Sequence, residues 1–263
     1  MITAGVDIGS SGAKAIVLED SKIILSSVIP TGPSSAETAQ QVIDKALSTS
    51  DLSMKDIEYV VATGYGRIKV PFAQKNITEI SCHARGMVSV FPRSRTILDM
   101  GGQDCKAIRC DEQGNIVNFL MNDKCAAGTG RYLERIATSV NIPIEDVGPL
   151  SLQTVDGPTP ISSFCTVFAQ SDVISLLRQG KYLNDILAGV CDSLTERILT
   201  LITRLGLVED FTISGGIAKN IGIVRRLERN LGIKVYVPPE PQIIGALGAA
   251  LFAQGLANRV SPN

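Results

Sequence analysis

The chain of 263 residues contains no tryptophan and a single histidine, and aromatic residues make up 5% of it. With His83 as the only imidazole, a zinc site or a histidine-based general base is poorly supported, and we expect a structural role near an interdomain hinge. The formal net charge of −1 gives no reason to expect a nucleic-acid partner. No apolar run reaches the length that spans a bilayer, so no membrane association is expected.

Targeting signals and the common nucleotide-binding motifs are also missing. The first residues lack the basic leader and apolar core of a signal peptide, so we expect a cytoplasmic protein. In that compartment the six cysteines are expected to be thiols or metal ligands rather than disulfides. Neither a Walker A motif nor GxGxxG at the start of a helix occurs, which weakens the P-loop and Rossmann interpretations.

The periodicity of the apolar residues predicts an α/β protein. Strands are predicted at 2–8, 13–18, 22–30, 57–62, 96–100, 106–110, 116–121, 211–214 and 234–237. Helices are predicted at 34–47, 81–91, 128–140, 166–179, 182–205, 218–230 and 243–256.

An internal repeat divides the chain. Residues 6–16 align without a gap with residues 98–108, and each copy has a strand that ends in Asp, a glycine turn and a strand that opens Lys-Ala-Ile. A generic β-hairpin would share the apolar alternation but not Asp, Gly and Lys in register. The repeat predicts two duplicated halves facing each other across a cleft, at 1–95 and 96–243. A C-terminal helix at about 244–263 can fold back on the first half.

The glycine turns of the two copies have the chemistry of phosphate cradles, because small residues let backbone N–H groups approach a phosphate. Asp7 and Asp99, at the strand ends, can hold Mg²⁺, usually through water. Lys14 and Lys106 either contact phosphates or only line their strands. A third turn, at Gly215 and Gly216, joins a strand to a helix and can admit an adenosine. Gln242 is a further candidate for the adenosine pocket.

Two cysteines stand where helices are predicted to begin. Cys125 lies in a glycine-containing segment, 121–131, and Cys165 lies in 162–169; each is followed by apolar residues at helical spacing. The start of a helix offers unpaired N–H groups and the positive end of the helix dipole, which favour a thiolate or an anionic metal cluster. The two segments therefore suggest one metallocentre. The other cysteines lack this setting and are interpreted as structural thiols: Cys82, Cys105, Cys110 and Cys191.

The two Asp-x-Gly hairpins and the late Gly-Gly turn resemble the superfamily of actin, sugar kinases and heat-shock chaperone ATPases. Within it, segments 99–104, 122–131 and 165–169 are similar to those of the 2-hydroxyacyl-CoA dehydratase activators, a family that includes the ATPase subunits of benzoyl-CoA reductases. The resemblance runs nearly end to end. One departure is Gln170-Ser171-Asp172, where the family usually has Glu-Ser-Glu. The loss of one carboxylate can raise the reduction potential of a cluster or alter a docking surface, but it does not change the cysteines.

The resemblance implies two ribonuclease-H-like (actin-like) halves around a nucleotide cleft, in an oxygen-sensitive homodimeric ATPase. One [4Fe–4S] cluster would lie between the subunits, held by Cys125 and Cys165 of each chain. Residue chemistry supports that number of ligands, because such a cluster generally takes four thiolates and a two-fold axis doubles two cysteines to four.

The implied function is that of an ATP-dependent one-electron reductase, an activator. A ferredoxin or flavodoxin would reduce it, and it would pass low-potential electrons to an iron–sulfur enzyme such as a 2-hydroxyacyl-CoA dehydratase or a benzoyl-CoA reductase. Gln103 or Asp104 would position the attacking water, with Asp7 and Asp99 near Mg²⁺. The residues expected to bind ATP or ADP are Asp7, Gly9, Ser10, Ser11, Gly12, Lys14, Asp99, Gly101, Gly102, Gln103, Gly215, Gly216, Asn220 and Gln242.

Two other functions remain open from the residues alone. A small-molecule kinase would use the same cleft, but it needs a substrate pocket with a general base and leaves both cysteine segments unexplained. A zinc-stapled dimer that senses nucleotide is the second alternative, and metal analysis separates zinc from iron with sulfide.

Overall fold

The computed structural model describes residues 1–122, 129–161 and 165–260. Ten strands occur in these ranges: β1 (Ile2–Ile8), β2 (Gly12–Glu19), β3 (Lys22–Pro30), β4 (Tyr59–Thr63), β5 (Lys75–Asn76), β6 (Thr96–Met100), β7 (Cys105–Cys110), β8 (Ile116–Asn122), β9 (Phe211–Ser214) and β10 (Val235–Tyr236). The α-helices there are α1 (Ser35–Leu47), α2 (Glu79–Val90), α3 (Gly130–Ser139), α4 (Ile144–Leu150), α5 (Thr166–Arg178), α6 (Leu183–Leu205), α7 (Ile221–Leu231) and α8 (Ile244–Val260).

The strands form two five-stranded sheets of the same topology. The first has the order β3-β2-β1-β4-β5, and the second, read from the matching edge, has the order β8-β7-β6-β9-β10. In the first sheet β1 pairs antiparallel with β2 and parallel with β4. In the second sheet β6 pairs antiparallel with β7 and parallel with β9 in the same way. The registers also match, since Asp7 lies opposite Lys14 and Asp99 lies opposite Lys106. The predicted duplication into two actin-like halves is confirmed.

The observed elements differ from the predicted ones in few places. The short strand β5 and the helix α4 were not predicted, because two and seven residues are too few to show a period. The helix predicted from residue 218 begins at Ile221, and a 3₁₀ turn, Gly216–Lys219, precedes it. Asn220 separates the two, and its side-chain oxygen accepts a hydrogen bond from the N–H of Ile223, which caps α7.

The two halves share an apolar seam. Ile16 of the first sheet and Ile108 of the second belong to one cluster with Met87 of α2 and Leu247 of α8, and all are buried. Helix α8 lies directly against β1: a Cβ on Gly5 would collide with the carbonyl oxygen of Ala246. The C-terminal helix thus packs on the first sheet while contacting the seam.

None of the helices in the described ranges is long and apolar enough to cross a bilayer.

Candidate functional site

A cavity of about 440 Å³ lies between the two sheets. Besides the cysteines, fifteen residues were predicted for nucleotide binding or catalysis, and all but Gln103 line the cavity: Asp7, Gly9, Ser10, Ser11, Gly12, Lys14, Asp99, Gly101, Gly102, Asp104, Gly215, Gly216, Asn220 and Gln242. Within the described chain, Gln103 is exposed and lies outside the lining, whereas Asp104 is buried within it. Of the two candidates for positioning a water, only Asp104 therefore faces the cavity.

The two phosphate turns, residues 9–12 and 101–104, have the same hydrogen bond. The N–H of Gly9 donates to the carbonyl of Gly12 at 3.1 Å, and the N–H of Gly101 donates to the carbonyl of Asp104 at 3.0 Å. The turns meet across the cleft so closely that a Cβ on Gly102 would collide with the Ser11 hydroxyl. That hydroxyl is buried and has no hydrogen-bond partner among the described residues. A free hydroxyl between two glycine turns suits a phosphate oxygen.

Asp7 and Lys14 form the charged pair of the first half. The Lys14 ammonium lies 3.0 Å from the Asp7 carboxylate, and Asp7 is buried. The two residues face each other across β1 and β2 and both line the cavity. Lys14 thus holds a carboxylate in place and still presents its charge to the cleft.

A denser cluster surrounds Lys106 in the second half. Its side chain is 3% exposed, and its Nζ lies 2.7 Å from Asp104, 3.5 Å from Asp99 and 4.0 Å from Glu79. Burial disfavours the ammonium, but the carboxylates of Asp99 and Asp104 outweigh it and raise the pKa of Lys106 above its usual value. One buried cation therefore fixes three carboxylates at the phosphate end of the cavity.

Asp99 is also held ionised. Burial opposes its charge, yet the nearby imidazole of His83 and the ammonium groups of two lysines lower the pKa of the Asp99 carboxyl below its usual value. Its Oδ2 lies 3.5 Å from His83 Nε2. His83 Nδ1 in turn lies 2.9 Å from the hydroxyl of Ser214. His83, on α2, thereby links α2 to β6 and β9, and it also lines the cavity.

Tyr65 reaches the same cluster from the first half, and sequence reasoning gave it no role. Its hydroxyl is close enough to the Asp104 carboxylate to be influenced by it, and Lys106 Nζ lies 5.9 Å from its ring centroid. Burial and the Asp104 carboxylate raise the pKa of Tyr65 to about 12, so it stays a hydrogen-bond donor at physiological pH. Only the fold reveals that Tyr65 lies near Lys106 and Asp104 across the cleft.

The other end of the cavity is less polar and suits a nucleoside. Leu133 and Ile217 supply apolar walls, and Glu134 and Glu145 place carboxylates beside them. Gly215, with φ of +85°, turns the chain close to Met100, where a Cβ would collide with the Met100 carbonyl. Apolar walls with a few acceptors match the flat base and the hydroxyls of a nucleoside.

Of the described cysteines, one is exposed and four are buried. Cys125 lies outside the described residues. Cys165 is exposed at the N-cap of α5, as predicted for a helix start. Burial raises the pKa of Cys82 to about 12 and of Cys110 to about 11, and it also raises the pKa values of two further buried thiols, Cys105 and Cys191. A metal takes the thiolate, so of the described cysteines only Cys165 has a suitable setting.

The segment before Cys165 is fastened to α6 by Asp185. This carboxylate, 2% exposed, accepts hydrogen bonds from the N–H of Val155 at 2.7 Å and of Asp156 at 2.9 Å. The carbonyl of Asp185 accepts a third from the N–H of Thr159 at 2.8 Å. A Cβ on Gly189 would collide with the Thr159 carbonyl, so the chain also lies directly on the helix. Residues 155–161, which precede Cys165 in the sequence, are thus held against α6.

Asp185→Ala is expected to lower the free energy of unfolding by about 3 kcal/mol, because two backbone N–H groups lose a charged acceptor. Urea unfolding followed by circular dichroism measures the change. Asp156→Ala is the matched control: it removes an exposed carboxylate but keeps the N–H that binds Asp185, so little change is expected. Equal stability of the two variants would show that Asp185 does not hold the segment.

A model of the BadF/BadG/BcrA/BcrD ATPase family matches residues 4–253. The activator of lactoyl-CoA dehydratase from Anaerotignum propionicum is 48% identical over 260 residues, which cover 98% of this chain and 100% of that protein. The (R)-2-hydroxyglutaryl-CoA dehydratase activating ATPase from Acidaminococcus fermentans is 41% identical, with 95% and 96% covered. The solved structure of the activator of the 2-hydroxyisocaproyl-CoA dehydratase from Clostridium difficile, with bound ADPNP, has a TM-score of 0.95 at 41% identity, with 100% and 99% covered.

Proposed function

Because the chain belongs to the BadF/BadG/BcrA/BcrD ATPase family, we propose that it is an ATP-dependent one-electron reductase that activates a partner iron–sulfur enzyme. A 2-hydroxyacyl-CoA dehydratase or a related reductase is the proposed acceptor, and a ferredoxin or flavodoxin is the proposed donor. The observation that supports this most is the presence in one chain of a cavity with two phosphate turns and of an exposed helix-start thiol, Cys165. A kinase needs the first feature but has no use for the second.

The phosphate end of the cavity is proposed to bind the phosphates of ATP with Mg²⁺. The backbone N–H groups of the two phosphate turns and the Ser11 hydroxyl would contact phosphate oxygens. Asp99, which is ionised, and Asp7 at the matching position offer the oxygen ligands that Mg²⁺ prefers.

Asp104 is proposed to orient the attacking water. Its carboxylate is held by the Lys106 ammonium at 2.7 Å, so little reorganisation is needed during hydrolysis. Positioning and electrostatics, rather than a covalent step, would carry the reaction.

Cys165 and Cys125 are the proposed ligands of a [4Fe–4S] cluster shared by two chains. The exposure of Cys165 at the start of α5 fits such a ligand, because the helix N-terminus stabilises a thiolate and leaves its sulfur accessible to a second subunit. When bound, the cluster would supply one-electron chemistry. For one electron, about 10 kcal/mol from nucleotide turnover corresponds to about 0.4 V. That energy would support a reduction beyond the reach of ordinary ferredoxins.

Anaerobic electron transfer to a purified 2-hydroxyacyl-CoA dehydratase tests the proposal. The reduced protein is expected to reduce the dehydratase only with MgATP, and to fail with ADP or a non-hydrolysable analogue. Electron transfer at the same rate without nucleotide would contradict it. A colourless, air-stable protein that forms ADP only in the presence of a sugar or an acid would instead identify a kinase.

A further inference from the structure

The single histidine of the chain lies at the phosphate end of the cavity. His83 is on α2, four residues after Glu79, so the two side chains lie on the same face of the helix. Both residues line the cavity, and His83 is buried. The imidazole is therefore part of the site, and its two ring nitrogens have different neighbours.

The contact of Nδ1 fixes the orientation of the ring. Nδ1 lies 2.9 Å from the hydroxyl of Ser214, which ends β9. Ser214 lies opposite Asp99 in the register of β6 and β9, and its hydroxyl is 3.5 Å from Asp99 Oδ1. The ring is thus anchored to the strand next to the one that carries Asp99.

The other ring nitrogen, Nε2, faces the carboxylate of Asp99. Nε2 lies 3.5 Å from Asp99 Oδ2, and Lys106 Nζ lies 3.5 Å from the same oxygen. An ionised carboxylate only accepts hydrogen bonds, so it attracts the ring when Nε2 carries hydrogen. His83 and Lys106 approach this oxygen from different elements, α2 and β7. Together they restrict the direction in which Asp99 presents its remaining lone pairs.

Nε2 also lies near Asp7 of the first half. Gly245, on α8, has no side chain, and a Cβ there would lie 2.8 Å from His83 Nε2 and 3.2 Å from Asp7 Oδ2. Nε2 is therefore close to both carboxylates that occupy equivalent positions in the two halves, Asp7 and Asp99.

We propose that His83 is a positioning residue for the Mg²⁺ of the bound nucleotide: its Nε2–H holds the Asp99 carboxylate in the orientation in which Asp99 and Asp7 receive the metal. This inference rests on the nucleotide-binding part of the proposed function. The partners of a metal-binding carboxylate orient it, and replacing one of them typically lowers metal affinity by about 10- to 100-fold. A histidine that only filled space between α2 and β9 would need its shape but not its Nε2–H.

His83→Gln and His83→Asn separate these two roles. The glutamine amide can place an N–H where Nε2 lies, toward Asp99, whereas the shorter asparagine amide reaches only the position of Nδ1, beside Ser214. The affinity of Mn²⁺ for the protein–ADP complex is measured by electron paramagnetic resonance, which detects free Mn²⁺. His83→Asn is expected to bind Mn²⁺ at least about tenfold more weakly than the wild type, and His83→Gln within about threefold of it. Equal Mn²⁺ affinities in the two variants, or rescue by asparagine alone, would overturn the proposal.

Gly245→Ala displaces the ring without changing its chemistry. The added methyl group meets side-chain atoms of His83 and Asp7 rather than backbone, so α8 can be retained while the imidazole shifts. Mn²⁺ affinity in the presence of ADP is expected to fall by at least about tenfold. The matched control, Gly255→Ala, places its Cβ in open space on the same helix and is expected to behave as the wild type. Unchanged Mn²⁺ affinity in Gly245→Ala would contradict the role of His83.

These measurements are separable from the reductase activity, because the binding of ADP and Mn²⁺ requires no iron–sulfur cluster. If the variants differ as expected but the wild type binds no iron, the reductase proposal fails and the role of His83 stands. If iron binds and electron transfer requires MgATP, but the two histidine variants bind Mn²⁺ alike, the role of His83 fails and the reductase proposal stands.

Discussion

Cys165→Ala is expected to purify without iron or sulfide and to transfer no electrons, while binding nucleotide as the wild type does. The side chain is exposed at a helix start and does not line the cavity, so its loss removes a proposed ligand without disturbing the ATP site. Cys125→Ala is expected to give the same result. Iron and sulfide analysis, visible absorbance and nucleotide titration, all under anaerobic conditions, measure these properties.

Cys110→Ala is the control for the loss of any cysteine. Its thiol is 3% exposed, and burial raises its pKa to about 11, so it should retain full iron content. A Cys165→Ala protein that kept the iron content of Cys110→Ala would refute the assignment of Cys165. The identity of the acceptor enzyme does not affect this comparison.

Lys106→Met is expected to lower the free energy of unfolding by about 3–5 kcal/mol, because it leaves a cluster of buried carboxylates without their cation. Asp99, Asp104 and Glu79 would then face one another at side-chain exposures of 6%, 4% and 15%. Urea unfolding measures the loss. Lys14→Met serves as control and should lose less, since Lys14 pairs with Asp7 alone and is 16% exposed.

The loss in free energy of unfolding caused by Lys106→Met is also expected to depend on pH. In the wild type the pKa of Asp99 is lowered, so its contribution is present above the unfolded pKa of about 3.9 and is lost as pH falls through the folded value. The pKa of Lys106 is raised, so its contribution is complete below about 10.4 and is lost only as pH rises through the folded value. In the variant, protonation relieves the facing carboxylates. The loss in free energy of unfolding should therefore become smaller between about pH 7 and pH 4. A loss that became larger in acid would contradict the role of Lys106 in holding the buried carboxylates.

The duplicated halves could be predicted because the two copies of the repeat share Asp, Gly and Lys in register as well as the alternation of apolar residues. Asp7 and Asp99 stand at equivalent strand ends, and the structure places a lysine opposite each in the same register. Cys165 could be recognised as a helix-start residue because the apolar spacing of α5 begins directly after it.

Contacts between distant segments could not be predicted in this way. Nothing in the local pattern of Tyr65 indicates that its ring lies near Lys106 of the opposite half. The sequence did not decide whether Lys106 contacts a phosphate or only lines its strand. Its burial among carboxylates depends on α2, which brings Glu79 to the second sheet. The hydrogen bonds from α3 to the second phosphate turn join backbone atoms, which carry no signature in residue types.

Whether two chains share one cluster is decided by counting iron per chain in the assembled protein. Anaerobic purification, determination of the molar mass in solution, and iron and sulfide analysis of the same sample give that count. A dimer with about two iron atoms and about two sulfides per chain is expected, since two cysteines from each chain complete the four thiolates of one cluster. About four iron atoms per chain, or a monomer that retains its iron, would contradict the shared cluster.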